Sequence, residues 1–216
     1  ETAGRAIAAY TTLLRLYPEE WRGNLNLGIL YHDLEDFVKA VDRFERNMQS
    51  ETETYYASLY LAQSYAALGR YDQGRQVLED YLRRYSDNAI TRWYLAQNSV
   101  CLGKYDLALI DADKAALLNP GMYQNQILKG DICHLQGEWA RAEQEYRKLL
   151  EKEEPAARIY GKLSLAALYL ARGRFGGAIA ELEQANALAG ELGETSTEFS
   201  FLRYLASVYL KSGKSD

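Results

Sequence analysis

Gly69-Arg70-Tyr71 recurs as Gly103-Lys104-Tyr105 and again as Gly137-Glu138-Trp139, each copy 34 residues after the last. Three places beyond each aromatic stands a small residue: Gly74, Ala108 and Ala142. Self-similarity at a fixed period of this size marks a stack of structural repeats. Extending the register both ways, with units beginning at Trp21, Tyr55, Ala89 and Tyr123, recovers most of the chain. Positions 7 and 8 of the unit are then Leu27-Gly28, Leu61-Ala62 and Leu95-Ala96, and position 11 is Tyr31 and Tyr65. Position 20 is small throughout: Ala6, Ala40, Gly74, Ala108, Ala142 and, after a two-residue insertion, Ala178. Position 24 reads Tyr10, Phe44, Leu78, Ala112, Tyr146 and Leu182.

Helical periodicity explains the pattern. At about 100° per residue, positions 4, 7, 8 and 11 share one face, and positions 20, 24 and 27 form a second apolar stripe. Each unit is therefore two amphipathic helices. Glycine at position 15 (Gly69, Gly103, Gly137, Gly173, Gly213) suits a left-handed helix C-terminus, and a small position 20 lets the two helices approach closely. The spacing predicts helices over 3–16, 21–34, 37–50, 55–68, 71–84, 89–102, 105–118, 123–136, 139–152, 157–172, 175–190 and 196–212, with Thr195-Ser196-Thr197-Glu198 as a capping box for the last. Nothing reads as strand. One hairpin cannot bury both stripes, so neighbours must stack.

These residues resemble the tetratricopeptide repeat (TPR), whose pattern places a large residue, Leu-Gly, Tyr, Ala, Phe and Pro at the same offsets; the late proline appears as Pro18 and Pro120. The departures are Lys129 at position 7 of one unit and Ser99 at position 11 of another. The resemblance implies an all-α, right-handed solenoid of antiparallel helix pairs, about 12 helices in a single array over 1–216. The register divides it into 1–20, the second helix of a cut repeat, full repeats at 21–54, 55–88, 89–122, 123–158 and 159–198, and 199–216, the first helix of another. Both ends thus fall inside a repeat, which suggests a fragment of a longer protein with possible end-to-end self-association.

Composition narrows the function classes. Lys and Arg total 25 against 30 Asp and Glu, without the basic excess that phosphate-backbone binding needs, which speaks against nucleic acid. No apolar run reaches the roughly 18 residues of a membrane-spanning helix. Cys101 and Cys133 are too few for a disulfide scaffold, which favours a reducing compartment such as the cytoplasm, and both read as small buried thiols. The two histidines, His32 and His134, occupy the same repeat position three units apart, too far to share a metal. Asp111 and Asp113 face different sides of a helix. These observations point to no catalytic residue, no metal site and no cofactor.

Function in a stack of helical hairpins falls to the surface that packing leaves over. On the first helix of each unit, positions 2, 5, 9 and 12 lie together away from the core stripe, and the family's binding groove uses the same positions. They hold Tyr56 and Gln63 in one unit, Trp93 and Gln97 in the next and Asp131 in a third; neighbouring position 6 adds Asn26, Tyr60 and Tyr94. Gln63 and Gln97 share a repeat position and should form an amide ladder for a peptide backbone. The aromatics supply flat apolar anchors. Family members that grip acidic chaperone tails place basic residues where this chain has Tyr56 and Tyr60, so although Asn26 matches, a carboxylate clamp is disfavoured. The expectation is a non-catalytic scaffold for a protein or peptide partner. The alternative is a regulatory or self-assembly segment of a larger signalling protein, such as a bacterial kinase or transcription regulator.

Overall fold

A computed structural model describes residues 2–49 and 54–192. Among them every regular element is a helix: α1 (Thr2–Leu16), α2 (Trp21–Asp33), α3 (Phe37–Gln49), α4 (Thr54–Ala67), α5 (Tyr71–Arg84), α6 (Ala89–Cys101), α7 (Tyr105–Leu118), α8 (Tyr123–Leu135), α9 (Trp139–Leu150), α10 (Pro155–Ala171) and α11 (Phe175–Glu191). These match the first eleven helices expected from the spacing to within two residues at each end. The twelfth, its capping box and Gly213 lie outside the described residues.

The chain forms two compact units, Glu1–Leu118 and Asn119–Asp216. In the first, each second helix packs between the first helix of its own hairpin and that of the next: α3 between α2 and α4, α5 between α4 and α6. The first helices also meet in succession, α2 with α4 and α4 with α6. Leu25, Ala40, Val41, Phe44, Ala57, Leu61 and Tyr65 form one core cluster here, and Leu59, Ala62, Leu78 and Leu95 another. The second unit repeats the scheme, with α9 and α11 both against α10 around Tyr146, Leu165, Leu168, Tyr169 and Leu182.

The small position 20 is fully enclosed as Ala40, Ala108, Ala142 and Ala178. A Cβ on Gly74 would lie 2.9 Å from the Ala62 carbonyl oxygen, so α4 and α5 cross in contact. Position 15 turns the chain in the left-handed region at Gly69, Gly103, Gly137 and Gly173, with φ of 72°, 70°, 75° and 67°. In each turn the amide one residue later reaches back to the carbonyl of position 11: Arg70 to Tyr65 and Lys104 to Ser99 at 2.8 Å, Glu138 to Cys133 at 2.9 Å. That is the six-to-one bond of a Schellman motif, which satisfies a carbonyl the helix end would leave open. The first turn makes the same bond, Asp36 to Tyr31 at 2.9 Å, with Glu35 in the glycine's place at φ 60°.

One expectation needs correction. Cys133 is buried, but Cys101 is exposed: Cys133 holds position 11 on the core stripe, whereas Cys101 at position 13 has turned past it. Of the tyrosines at signature positions, Tyr65, Tyr146 and Tyr169 are buried, while Tyr10, Tyr31, Tyr71 and Tyr105 are only half-buried. Even a buried tyrosine carries its hydroxyl to the edge of the core. Tyr169 donates to Glu143 at 2.9 Å, and Tyr65 donates to Glu45.

Candidate partner-binding face

α2, α4 and α6 carry all the residues singled out from the sequence except Asp131, in rows of equal repeat position that run across the helices. Position 2 contributes exposed Arg22 and then Tyr56 and Ile90, 54% and 44% exposed. Position 6 contributes exposed Asn26 and half-buried Tyr60 and Tyr94; position 9 contributes half-buried Ile29, Gln63 and Gln97. Position 5 is largely consumed by packing, since Leu25 and Leu59 are buried and Trp93 is half-buried.

Ring contacts gather in three groups around these rows. Tyr60 stacks on Phe44 at 5.7 Å and meets His32 edge-on at 5.3 Å, and His32 meets Phe37 at 5.4 Å. Trp93 lies edge-on to Tyr94 at 5.0 Å, and Tyr55 to Tyr56 at 5.2 Å. Burial, and then the nearby Tyr60 phenol, push the Tyr94 hydroxyl's pKa up. Burial likewise lowers that of His32, against the opposing pull of Asp33, and its ring sits 3.1 Å from the Ser64 hydroxyl. This histidine is favoured in its neutral form. The Trp93 indole N–H is enclosed and meets no acceptor among the described residues. Gln63 donates its amide to the Leu59 carbonyl at 3.3 Å, one turn back along its own helix.

Asp131 lies in the second unit on α8 and accepts the Tyr146 hydroxyl at 2.6 Å. Burial raises its pKa, partly offset by that bond. The contact anchors a core tyrosine, whose ring lies so close over Gly130 that a Cβ there would collide with it.

One set of polar residues has no counterpart in the sequence reading. In three units the residue at position 4 reaches the one at position 23 of the same hairpin: Arg92 to Asp111 at 3.0 Å, Gln126 to Glu145, and Lys162 to Glu181 at 3.3 Å. Asp111 is the most enclosed, with a side chain only 3% exposed, and its second oxygen takes Arg75 from α5 at 3.2 Å. Arg75 also donates to the Ser99 hydroxyl and pairs with Glu79 at 2.8 Å, and Arg92 grips both Asp87 oxygens at 2.8 Å. The signal was present in the register as an acid opposite a base or amide. It was missed because the two aspartates of α7 were weighed as isolated groups.

No cluster of three His, Cys, Asp or Glu able to hold a metal occurs among the described residues, and no described helix is long and apolar enough to cross a membrane.

The repeat register, the glycine turns and the layering of first and second helices define a class of stacked helical hairpins, and comparison with known proteins gives the class its family. Sequence models of the tetratricopeptide repeat match residues 3–47 and 95–158, residues 57–98 and residues 160–184. The chain belongs to the tetratricopeptide repeat family, whose fold serves as a protein–protein interaction scaffold. Among solved structures it is similar to a thermophilic TPR protein of Thermus thermophilus, with 23% identity over 88% of this chain and 99% of that one and a TM-score of 0.68. A tetratricopeptide repeat protein from Parabacteroides merdae shares 18% identity over 95% of this chain and 78% of its own, with a TM-score of 0.72. YrrB, described as a TPR protein with an unusual peptide-binding site, shares 17% over 83% and 92%, with a TM-score of 0.57. A comparison with curated proteins returned no match.

Proposed function

We propose that the protein is a non-catalytic scaffold that holds a segment of a partner protein against the first-helix face of α2, α4 and α6. One observation carries this reading. Tyr56 and Ile90 hold the same repeat position on neighbouring helices and stay about half exposed, so the row leaves apolar surface open, and contiguous surface of this kind marks interaction sites. Tyr60, Tyr94 and Trp93 continue the apolar surface beneath them, and Asn26, Gln63 and Gln97 offer amide groups to a peptide backbone. YrrB, a structure of similar fold, is described as having a peptide-binding site, which is consistent with this use of the architecture. Asp131, committed to Tyr146, serves the fold of the second unit.

The test is selection from a displayed random-peptide library on the immobilised chain, followed by binding measurements on Tyr56→Ala, Gln97→Ala and the control Arg83→Ala. The first two should each lose about tenfold or more in affinity, about 1.4 kcal/mol, with unchanged helicity. Arg83 on α5 is 69% exposed and lies off this face, so its variant should bind as the parent does. Equal binding by all four proteins would place the site elsewhere.

A further inference from the structure

The two layers of the first unit differ sharply in charge. α3 carries Lys39, Asp42, Arg43, Glu45 and Arg46, and α5 carries Asp72, Arg75, Glu79, Asp80, Arg83 and Arg84. α4, Thr54–Ala67, has no charged residue at all. On α6 the only one is Arg92, turned to Asp87 and Asp111 and neutralised by them. α2 has Arg22 and Asp33 near its two ends, and Arg22 lies over the Trp21 ring with its guanidinium carbon 4.3 Å from the centroid. Between them the rows of positions 6 and 9 hold only apolar, phenolic and amide groups. His32, beside Tyr60, has its pKa lowered by burial and adds no charge at neutral pH.

A carboxylate or ammonium pressed onto these two rows loses hydration and gains no countercharge from them. An apolar side chain gains instead, and a peptide amide can be satisfied by Gln63, Gln97 or Asn26. Neighbouring first helices in contact have axes about 8–10 Å apart, and a chain in the polyproline II conformation advances roughly 3.1 Å per residue with three residues per turn, so side chains about three residues apart share a side and meet successive helices.

From these two charge-free rows we infer that the first unit accepts an uncharged segment of a partner chain, with aliphatic or aromatic anchors about three residues apart, and excludes acidic and basic segments from the rows. The inference rests on the proposed binding face and names what that face admits.

The experiment uses the full chain and a displayed library of random peptides of about 12 residues, which at roughly 3.1 Å per residue is long enough to cross three helices. Sequencing the selected pool should show Asp, Glu, Lys and Arg depleted about threefold or more at the anchor positions. Affinity of synthesised winners should change less than about twofold between about 0.05 M and 0.5 M salt, because there is no ion pair to screen. The paired variant Gln63→Lys, Gln97→Lys should turn the pool acidic and make its binding salt-sensitive. Wild-type winners rich in charge, or an affinity that falls tenfold with salt yet is lost in Tyr56→Ala, would overturn this inference and leave the binding face intact. Winners unaffected by Tyr56→Ala, or no winners at all, would overturn both.

Discussion

Glu35 shows how much a single backbone position decides. Its φ of 60° is the conformation that Gly69, Gly103, Gly137 and Gly173 adopt in the equivalent turns, and for a residue with a Cβ it costs about 1 kcal/mol. Glu35→Gly should therefore raise stability by up to about 1 kcal/mol, and Gly103→Ala should lower it by a similar amount, both read as shifts in the urea midpoint at constant slope. A second residue-scale rule couples positions 8 and 24. Where position 24 is aromatic, as Phe44 and Tyr146, position 8 is Gly28 or Gly130; where it is Leu78, Ala112 or Leu182, position 8 is alanine. The reason is contact, since a Cβ on Gly28 would lie 2.6 Å from Phe44 Cε1. Gly28→Ala should cost about 1–3 kcal/mol by overpacking. Adding Phe44→Leu should recover much of that loss, a coupling that a double-mutant cycle measures directly.

At the scale of helices, the junction of α5, α6 and α7 is held by charge as well as by apolar packing. Asp111 sits between Arg75 and Arg92, whose side chains are only 11% and 18% exposed. Removing the acid leaves two guanidinium groups partly desolvated with less compensation, and a break of this kind costs about 3–5 kcal/mol. Because Arg75 keeps Glu79 and Arg92 keeps Asp87, Asp111→Ala should fall near the lower end, about 3 kcal/mol, in equilibrium unfolding. Lys162→Ala, which breaks the equivalent pair of the α10–α11 hairpin, should cost less, about 1 kcal/mol, since its partner Glu181 is more open to solvent than Asp111.

At the scale of the molecule, contacts run mainly between neighbouring helices, so stability is close to a sum over hairpins and their interfaces. A lesion in one unit should therefore remain largely local. Phe44→Ala empties a fully buried site in the first unit and should cost about 3–5 kcal/mol there. Hydrogen exchange read peptide by peptide should speed up across α2 to α5, while α9 to α11 keep their protection. Uniform acceleration along the whole chain would show that it unfolds as one cooperative body.

What the sequence by itself determined is the periodic part of the protein. A 34-residue register, a small position 20 and a glycine at position 15 act through local physics, namely helical periodicity, close approach and left-handed turn geometry, so the helices and the family were legible from residue types alone. The face of α2, α4 and α6 was legible as a set of positions for the same reason. What only the tertiary structure decided is how each side chain is used once helices meet. Leu59 went to the core, Gln63 turned back onto its own helix and Asp131 closed on Tyr146. Asp111 was enclosed by arginines from two other helices, and Cys101 was left in solvent. Repeat position sets the direction in which a side chain leaves its helix, but burial and hydrogen-bond partners depend on groups many residues away, which no local pattern encodes.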